Sequence, residues 1–227
     1  MEEGILFLCI AGILFQLSLE ILLNFQKTLQ ENQVFLLGSG RGGCHSFYNR
    51  NILNEKKTSW YGSMTKMLIC YYSKTGTTEE MAEEIYEGAK EADVDLEVDL
   101  KMVEDVDISA LPEYDSIVLG SPTYYGLPSS EIKKFLDKSI EHHGDLDGMV
   151  GGAFASSANT AGGNETTIIA ILEALIIHGM VIKGMPKGDH YGPVVVGEAE
   201  KDDLEQCNYY GRWLAEFTEK ISGSEVV

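Results

Sequence analysis

The chain has 227 residues, enough for one medium domain plus an extension, and 44% of them are hydrophobic, so a full core can be buried. Lys and Arg number 17 against 36 Asp and Glu, a formal net charge of −19, which repels nucleic acid and anionic lipid and leaves neutral or basic partners. The four cysteines, Cys9, Cys44, Cys70 and Cys207, form no C-x-x-C pair and have no histidine at metal-ligand spacing, so they read as free thiols in a reducing compartment, with no metal site.

Residues 4–25 form a nearly continuous apolar run, interrupted by Gln16, Ser18, Glu20 and Asn24. The length matches a bilayer span of about 20 residues. Glu20 opposes that reading, since a carboxylate at that depth costs about 3 kcal/mol. A secretory signal fits poorly, because Glu2 and Glu3 stand where a basic region belongs. Residues 38–66 are rich in Gly, Ser and Asn and show no period. Three readings stay open for residues 1–66: a start assigned too far upstream, with synthesis beginning at Met64 or Met67; a single membrane anchor; or an amphipathic helix packing on the domain or a partner. In the anchor reading, Lys27, Arg41 and Arg50 follow the span and keep the domain cytoplasmic. The expected division is an extension over 1–66 and a folded domain over 67–222.

From Met67 onward strands and helices alternate. Residues 67–72 are a short apolar run ending in a polar turn, a buried strand. Residues 77–92 are helical, with Met81, Ile85 and Ala89 on one face and Glu79, Glu80, Glu83, Glu84 and Glu87 elsewhere. Residues 96–100 alternate as an edge strand does. Residues 116–120 are a second buried strand. Residues 129–140 read as a helix with Ile132, Phe135, Leu136 and Ile140 inward. Residues 149–155 are a strand of small residues, 165–178 an apolar helix, 180–182 a short strand and 201–221 the closing helix. This order implies an α/β fold, a doubly wound parallel sheet with helices on both faces.

The first strand runs directly into Ser73-Lys74-Thr75-Gly76-Thr77-Thr78 and then a helix. A helix N-terminus has unpaired N–H groups and about half a positive charge, so it attracts anions. Four hydroxyls and a glycine in that turn offer donors and close approach to a phosphate. The spacing is neither that of a Walker A loop nor that of a dinucleotide loop, so the phosphate is held rather than transferred. The second buried strand leads into Gly120-Ser121-Pro122-Thr123-Tyr124-Tyr125-Gly126, where two tyrosines offer flat surfaces to a ring. The third leads into Ser157-Ala158-Asn159-Thr160-Ala161-Gly162-Gly163, whose backbone N–H groups suit ring heteroatoms. All three loops follow parallel strands, on the sheet edge where such folds bind ligands.

The first loop resembles the flavodoxin signature, carried here by Tyr71, Ser73, Thr75, Gly76, Thr78 and Ala82. Gly120 to Gly126, the Ser157–Gly163 loop before Glu165-Thr166-Thr167, His178-Gly179-Met180 and Tyr191-Gly192 together resemble WrbA-type NAD(P)H:quinone oxidoreductases. The resemblance implies a flavodoxin-like five-stranded sheet of order 2-1-3-4-5. It implies bound FMN, with contacts at Ser73 to Thr78, Pro122 to Gly126 and Ser157 to Gly162. It further implies NAD(P)H as donor, a quinone as acceptor, a homo-oligomer and a cytoplasmic setting. The flavin carries the chemistry, with His178 the one candidate catalytic side chain. Ile177 departs from the family, where a first histidine stands. Thr75 replaces a tyrosine near the nicotinamide, and His142-His143 an aromatic near the quinone. These departures and the acidic surface keep an alternative open: a one-electron carrier for a basic redox partner.

Overall fold

The computed structural model describes residues 64–222. Strand β1 (Thr65–Tyr71) lies at the centre of the sheet, parallel to β2 (Leu96–Met102) on one side and to β3 (Ser116–Tyr124) on the other. Met67, Leu68, Ile69 and Cys70 are fully buried, which is why the strand reads as a continuous apolar run rather than an alternating one. Strand β5 (Val150–Ser157) pairs with β3 and is buried along its whole length. It begins two residues after Gly148, and Val150 N–H bonds the Asp115 carbonyl at 2.9 Å.

With β6 (Val181–Ile182) beside β5, the parallel order β2-β1-β3-β5-β6 is that of a doubly wound sheet. Two features add to the five expected strand positions. First, β4 (Leu127–Pro128) folds back antiparallel on the end of β3. Second, the fifth position is shared by two pieces, β6 (Val181–Ile182) and β7 (Val194–Val196), both parallel to β5. Residues 183–193 leave the sheet between them. Strand β1 begins at Thr65, before the expected boundary at Met67. Lys66 is anchored there by its N–H to Asp115 Oδ2 at 2.9 Å and by its carbonyl, which accepts from Asp115 N–H at 2.8 Å.

Helices α1 (Thr77–Lys90), α2 (Ser130–Lys138), α3 (Asn164–Ile177) and α4 (Lys201–Ser222) cover the two faces. Side chains of β1 alternate between the layers. Met67, Ile69 and Tyr71 join Met81 and Ile85 of α1 and Leu214 of α4. Leu68 and Cys70 join Ile132 of α2 and Ile168 of α3, together with Val103 and Leu111 from the short 3₁₀ turns that link β2 to β3. Cys70 and Cys207 are free, fully buried and in opposite layers; burial raises both thiol pKa values.

The expected inward position of Ile140 is corrected. Helix α2 ends at Lys138, and the tighter turn Ser139–His142 rotates the next residues. Ser139 takes the buried place, its hydroxyl donating to the Leu136 carbonyl at 2.9 Å, while Ile140 is 71% exposed. Among the described residues no helix is long and apolar enough to cross a membrane. The apolar run over residues 4–25, with Cys9 and Cys44, lies outside the described residues.

Candidate functional site

Three loops meet at the carboxyl edge of the sheet, after β1, β3 and β5. The chain reverses its winding between β1 and β3, so a crevice forms there.

The first loop ends at Gly76, which caps α1 with φ 106° and without any side-chain hydrogen bond to the helix. The first intrahelical bond of the helix is Glu80 N–H to the Gly76 carbonyl at 2.9 Å. The amides of Thr77, Thr78 and Glu79 therefore have no helical acceptor. A Cβ built on Gly76 would meet nothing within 4 Å, so the space in front of the turn is open. Ser73 Oγ accepts from Gly76 N–H at 3.1 Å and closes the loop on itself. Lys74 and Thr75 are exposed. The remaining hydroxyls point elsewhere. Thr78 is buried and shares a 2.9 Å hydrogen bond with Ser156 Oγ, and Thr77 Oγ1 donates to the Gly197 carbonyl at 3.3 Å. Backbone amides, more than four hydroxyls, are what this turn presents. By contrast α2 is capped from within, Ser129 Oγ accepting from Ile132 N–H.

The helix dipole favours an anion here, and two carboxylates in the first turn oppose it. One is tethered: Tyr71 OH donates to Glu79 Oε1 at 3.0 Å. Burial, then that bond, pushes the Tyr71 hydroxyl up to about 12, so it stays a donor at neutral pH.

The second loop is a two-residue hairpin. Thr123 pairs with Pro128 and Tyr124 with Leu127, leaving Tyr125 (φ 54°) and Gly126 (φ 76°) as the turn. Positive φ at both central positions is the turn that matches strand twist, and it suits Asn-Gly far better than Tyr-Gly. Tyr125 is wholly exposed and Tyr124 is 40% exposed. Ser121 Oγ, buried, accepts from Ser129 N–H at 2.9 Å and donates to the Pro122 carbonyl at 2.8 Å, fixing both ends of the hairpin. Thr123 Oγ1 is buried and has no hydrogen-bond partner among the described residues.

The third loop is clasped to the second. Thr166 Oγ1 donates to the Gly126 carbonyl at 2.8 Å, and a Cβ on Gly163 would stand 2.6 Å from Gly126 Cα. Ser157 Oγ donates to the Asn159 carbonyl at 3.1 Å, which also accepts from Gly162 N–H at 2.9 Å. Ala158 and Thr160 are exposed, and Ala161 has φ 56°. Gly163, like Gly76, caps its helix without a side-chain bond.

Two residues that sequence reading missed belong to the same edge. Ser156 lies one position before the marked loop, and its partner is Thr78. Gly197 follows β7, and its N–H donates to the Ser157 carbonyl at 2.8 Å while its carbonyl meets Thr77. The signal for the second is the apolar triplet Val194–Val196 ending in glycine.

His178 is elsewhere. Helix α3 starts at the ligand edge and, at 14 residues, runs about 21 Å to the other edge. His178 closes it there, next to the start of β5, with Gly148 N–H bonded to the Gly179 carbonyl. Its Nε2 shares a 2.9 Å bond with Ser139 Oγ, while Nδ1 is buried without a partner among the described residues. Burial, then His143 and His142, hold its pKa below the ordinary 6.5. Within one chain it does not approach the three loops.

A flavin mononucleotide can be tested against these residues. Its phosphate suits an uncapped helix N-terminus facing open space. Its ring suits the exposed Tyr124-Tyr125 hairpin, and the orphaned Thr123 hydroxyl suits a polar ring atom. The residues fit the group.

Known proteins agree with this geometry. The Flavodoxin family model matches residues 69–166. An NAD(P)H dehydrogenase (quinone) of Archaeoglobus fulgidus is 30% identical, over 70% of this chain and 100% of that protein. A flavodoxin of Aquifex aeolicus is 37% identical, over 68% of this chain and 87% of its own length. Among solved structures, a WrbA-like flavodoxin from Agrobacterium tumefaciens superposes with a TM-score of 0.59 at 28% identity, covering 69% of this chain and 98% of that one.

Proposed function

The chain belongs to the flavodoxin family, and on that footing we propose that it is an FMN-dependent NAD(P)H:quinone oxidoreductase of the WrbA type. The observation that carries the reading is the uncapped N-terminus of α1 beside an exposed tyrosine hairpin, on one edge of a doubly wound sheet. FMN, when bound, would supply the redox chemistry: hydride acceptance from NAD(P)H and delivery of two electrons, with two protons, to a quinone.

The chain's own residues hold and shield. Ser73, Lys74, Thr75 and Gly76, with the amides of Thr77 and Thr78, bind the phosphate dianion. Pro122, Thr123, Tyr124, Tyr125 and Gly126 flank the ring and exclude water from it. Ser157, Ala158, Asn159, Thr160 and Ala161 supply backbone donors to its polar edge, and Gly162, whose N–H is bonded to the Asn159 carbonyl, closes that turn against the ring. The FMN domain is taken as residues 67–222 with Thr65 and Lys66 added to its first strand, and the protein as a cytoplasmic homo-oligomer.

Anaerobic mixing of the flavin-loaded protein with NADH or NADPH tests this. The visible flavin absorbance is expected to bleach at least as fast as quinone is turned over. If neither nucleotide bleaches it, the reductase reading fails. A second reading is favoured by the exposed row Glu79, Glu80, Glu83 and Glu87 beside the phosphate turn. That row suits a basic redox protein as electron partner. Salt-sensitive electron transfer to such a protein, without nucleotide oxidation, would select it.

A further inference from the structure

The broken fifth strand leaves a cavity of about 450 Å³ at the edge of the sheet. β5 pairs with β6 at Val150 and Gly151 and with β7 from Ala155 onward, so Gly152, Ala153 and Phe154 have no ladder partner on that side among the described residues. It is a cleft half open to solvent, and its size lies within the range of small-molecule sites, about 300–1,000 Å³. Its walls come from α3, β6, α4 and the segment 183–193.

The polar groups around it are unevenly satisfied. Tyr210 is 3% exposed, and its hydroxyl accepts from Ala153 N–H at 3.2 Å, filling the missing ladder bond. The hydroxyl proton has no acceptor among the described residues. Lys183 Nζ lies 4.8 Å and 4.5 Å from the ring centroids of Trp213 and Phe217, and no carboxylate pairs with it among the described residues. The nearby Asp189 carboxylate is turned to the backbone, accepting from Val194 N–H at 3.0 Å. His190 Nδ1 donates to the Met185 carbonyl at 2.9 Å. The rest of the lining is apolar, chiefly Leu172, Ile182 and Met185. A buried donor and a cation thus border an apolar cleft that no carboxylate lines among the described residues.

We propose that this cavity binds a small amphipathic carboxylate. Its apolar body lies against Leu172, Ile182 and Met185, and its carboxylate accepts a hydrogen bond from the Tyr210 hydroxyl and meets the Lys183 charge. The net charge of −19 makes the chain as a whole repel free anions, so saturable anion binding requires a local site of this kind. The proposal uses no property of the three ligand loops and stands or falls apart from the flavin reading.

The test is a fluorine-NMR titration of para-fluorophenylacetate into the FMN-loaded full chain, with the visible flavin spectrum recorded alongside. Binding is expected to saturate below about 1 mM. The uncharged para-fluorophenylacetamide binds about tenfold more weakly, because it lacks a charge-assisted bond. Lys183→Met weakens the carboxylate about tenfold. Lys187→Met, on the same segment but outside the lining, leaves it unchanged. The proposal is overturned by any of four results: no saturation in the wild-type chain; equal binding of acid and amide; equal effects of the two lysine variants; or a flavin spectrum that shifts with the probe, which would put it at the ring loops.

Discussion

Tyr125 is the residue whose backbone least suits its side chain. A φ of 54° costs an L-residue about 1 kcal/mol, and asparagine is the side chain that tolerates it best. Such strain persists where something else needs the residue. Tyr125→Asn is therefore expected to stabilise the flavin-free protein by about 1 kcal/mol in urea unfolding. The same change removes a ring face and weakens FMN about tenfold by fluorescence titration. Undiminished FMN affinity would show that the tyrosine is not held there for the ring. His178 yields a pH prediction. Its folded-state pKa is lowered, so the unfolded chain takes the proton first. Its contribution is fully present above about 6.5 and is lost as pH falls through that value towards the folded-state pKa. His178→Asn should flatten the fall in stability on mild acidification; superimposable pH profiles of the two proteins would contradict this. None of this residue-scale detail is visible in the sequence. Tyr-Gly gives no sign of a turn that prefers Asn-Gly, and the Thr78–Ser156 bond joins residues 78 positions apart.

At the scale of elements, α1 and α4 pack backbone to backbone. A Cβ at Gly88 would lie 1.9 Å from the Asn208 carbonyl oxygen, and one at Gly211 would lie 1.9 Å from that of Ile85. Either methyl forces the helices apart, so Gly211→Ala is expected to cost about 3 kcal/mol in urea unfolding. A loss below about 0.5 kcal/mol would mean that the layer yields more easily than close packing allows. Elements carrying a long apolar pattern were legible in the sequence: β1, β3, β5, α1, α3 and α4 stand within a few residues of their expected places. The turn between β1 and α1 is legible too, because strand, hydroxyls, glycine and helix are contiguous. The failures share a cause. β4 and β7 span two and three residues and exist only by register with a longer neighbour, which local pattern cannot encode. Ile140 was expected inward because its spacing continues the helix, but the tighter turn at Ser139 ends that period.

For the molecule as a whole, charge is the dominant fact. An excess of 19 negative charges repels itself in the folded state. Salt shortens the reach of that repulsion to about 8 Å at physiological strength. The thermal midpoint is expected to rise as sodium chloride is added from low to physiological concentration, and a flat or falling midpoint would mean that the charges are locally balanced. The sheet, meanwhile, divides the interior into two layers, each with one buried thiol. With Cys9 and Cys44 changed to serine, a thiol reagent reacts only when a layer opens. Cys70 then times the opening of the α2–α3 side and Cys207 that of the α1–α4 side. The chain carries its own pair of clocks, one for each half of its core, and the order in which they start shows which half lets go first.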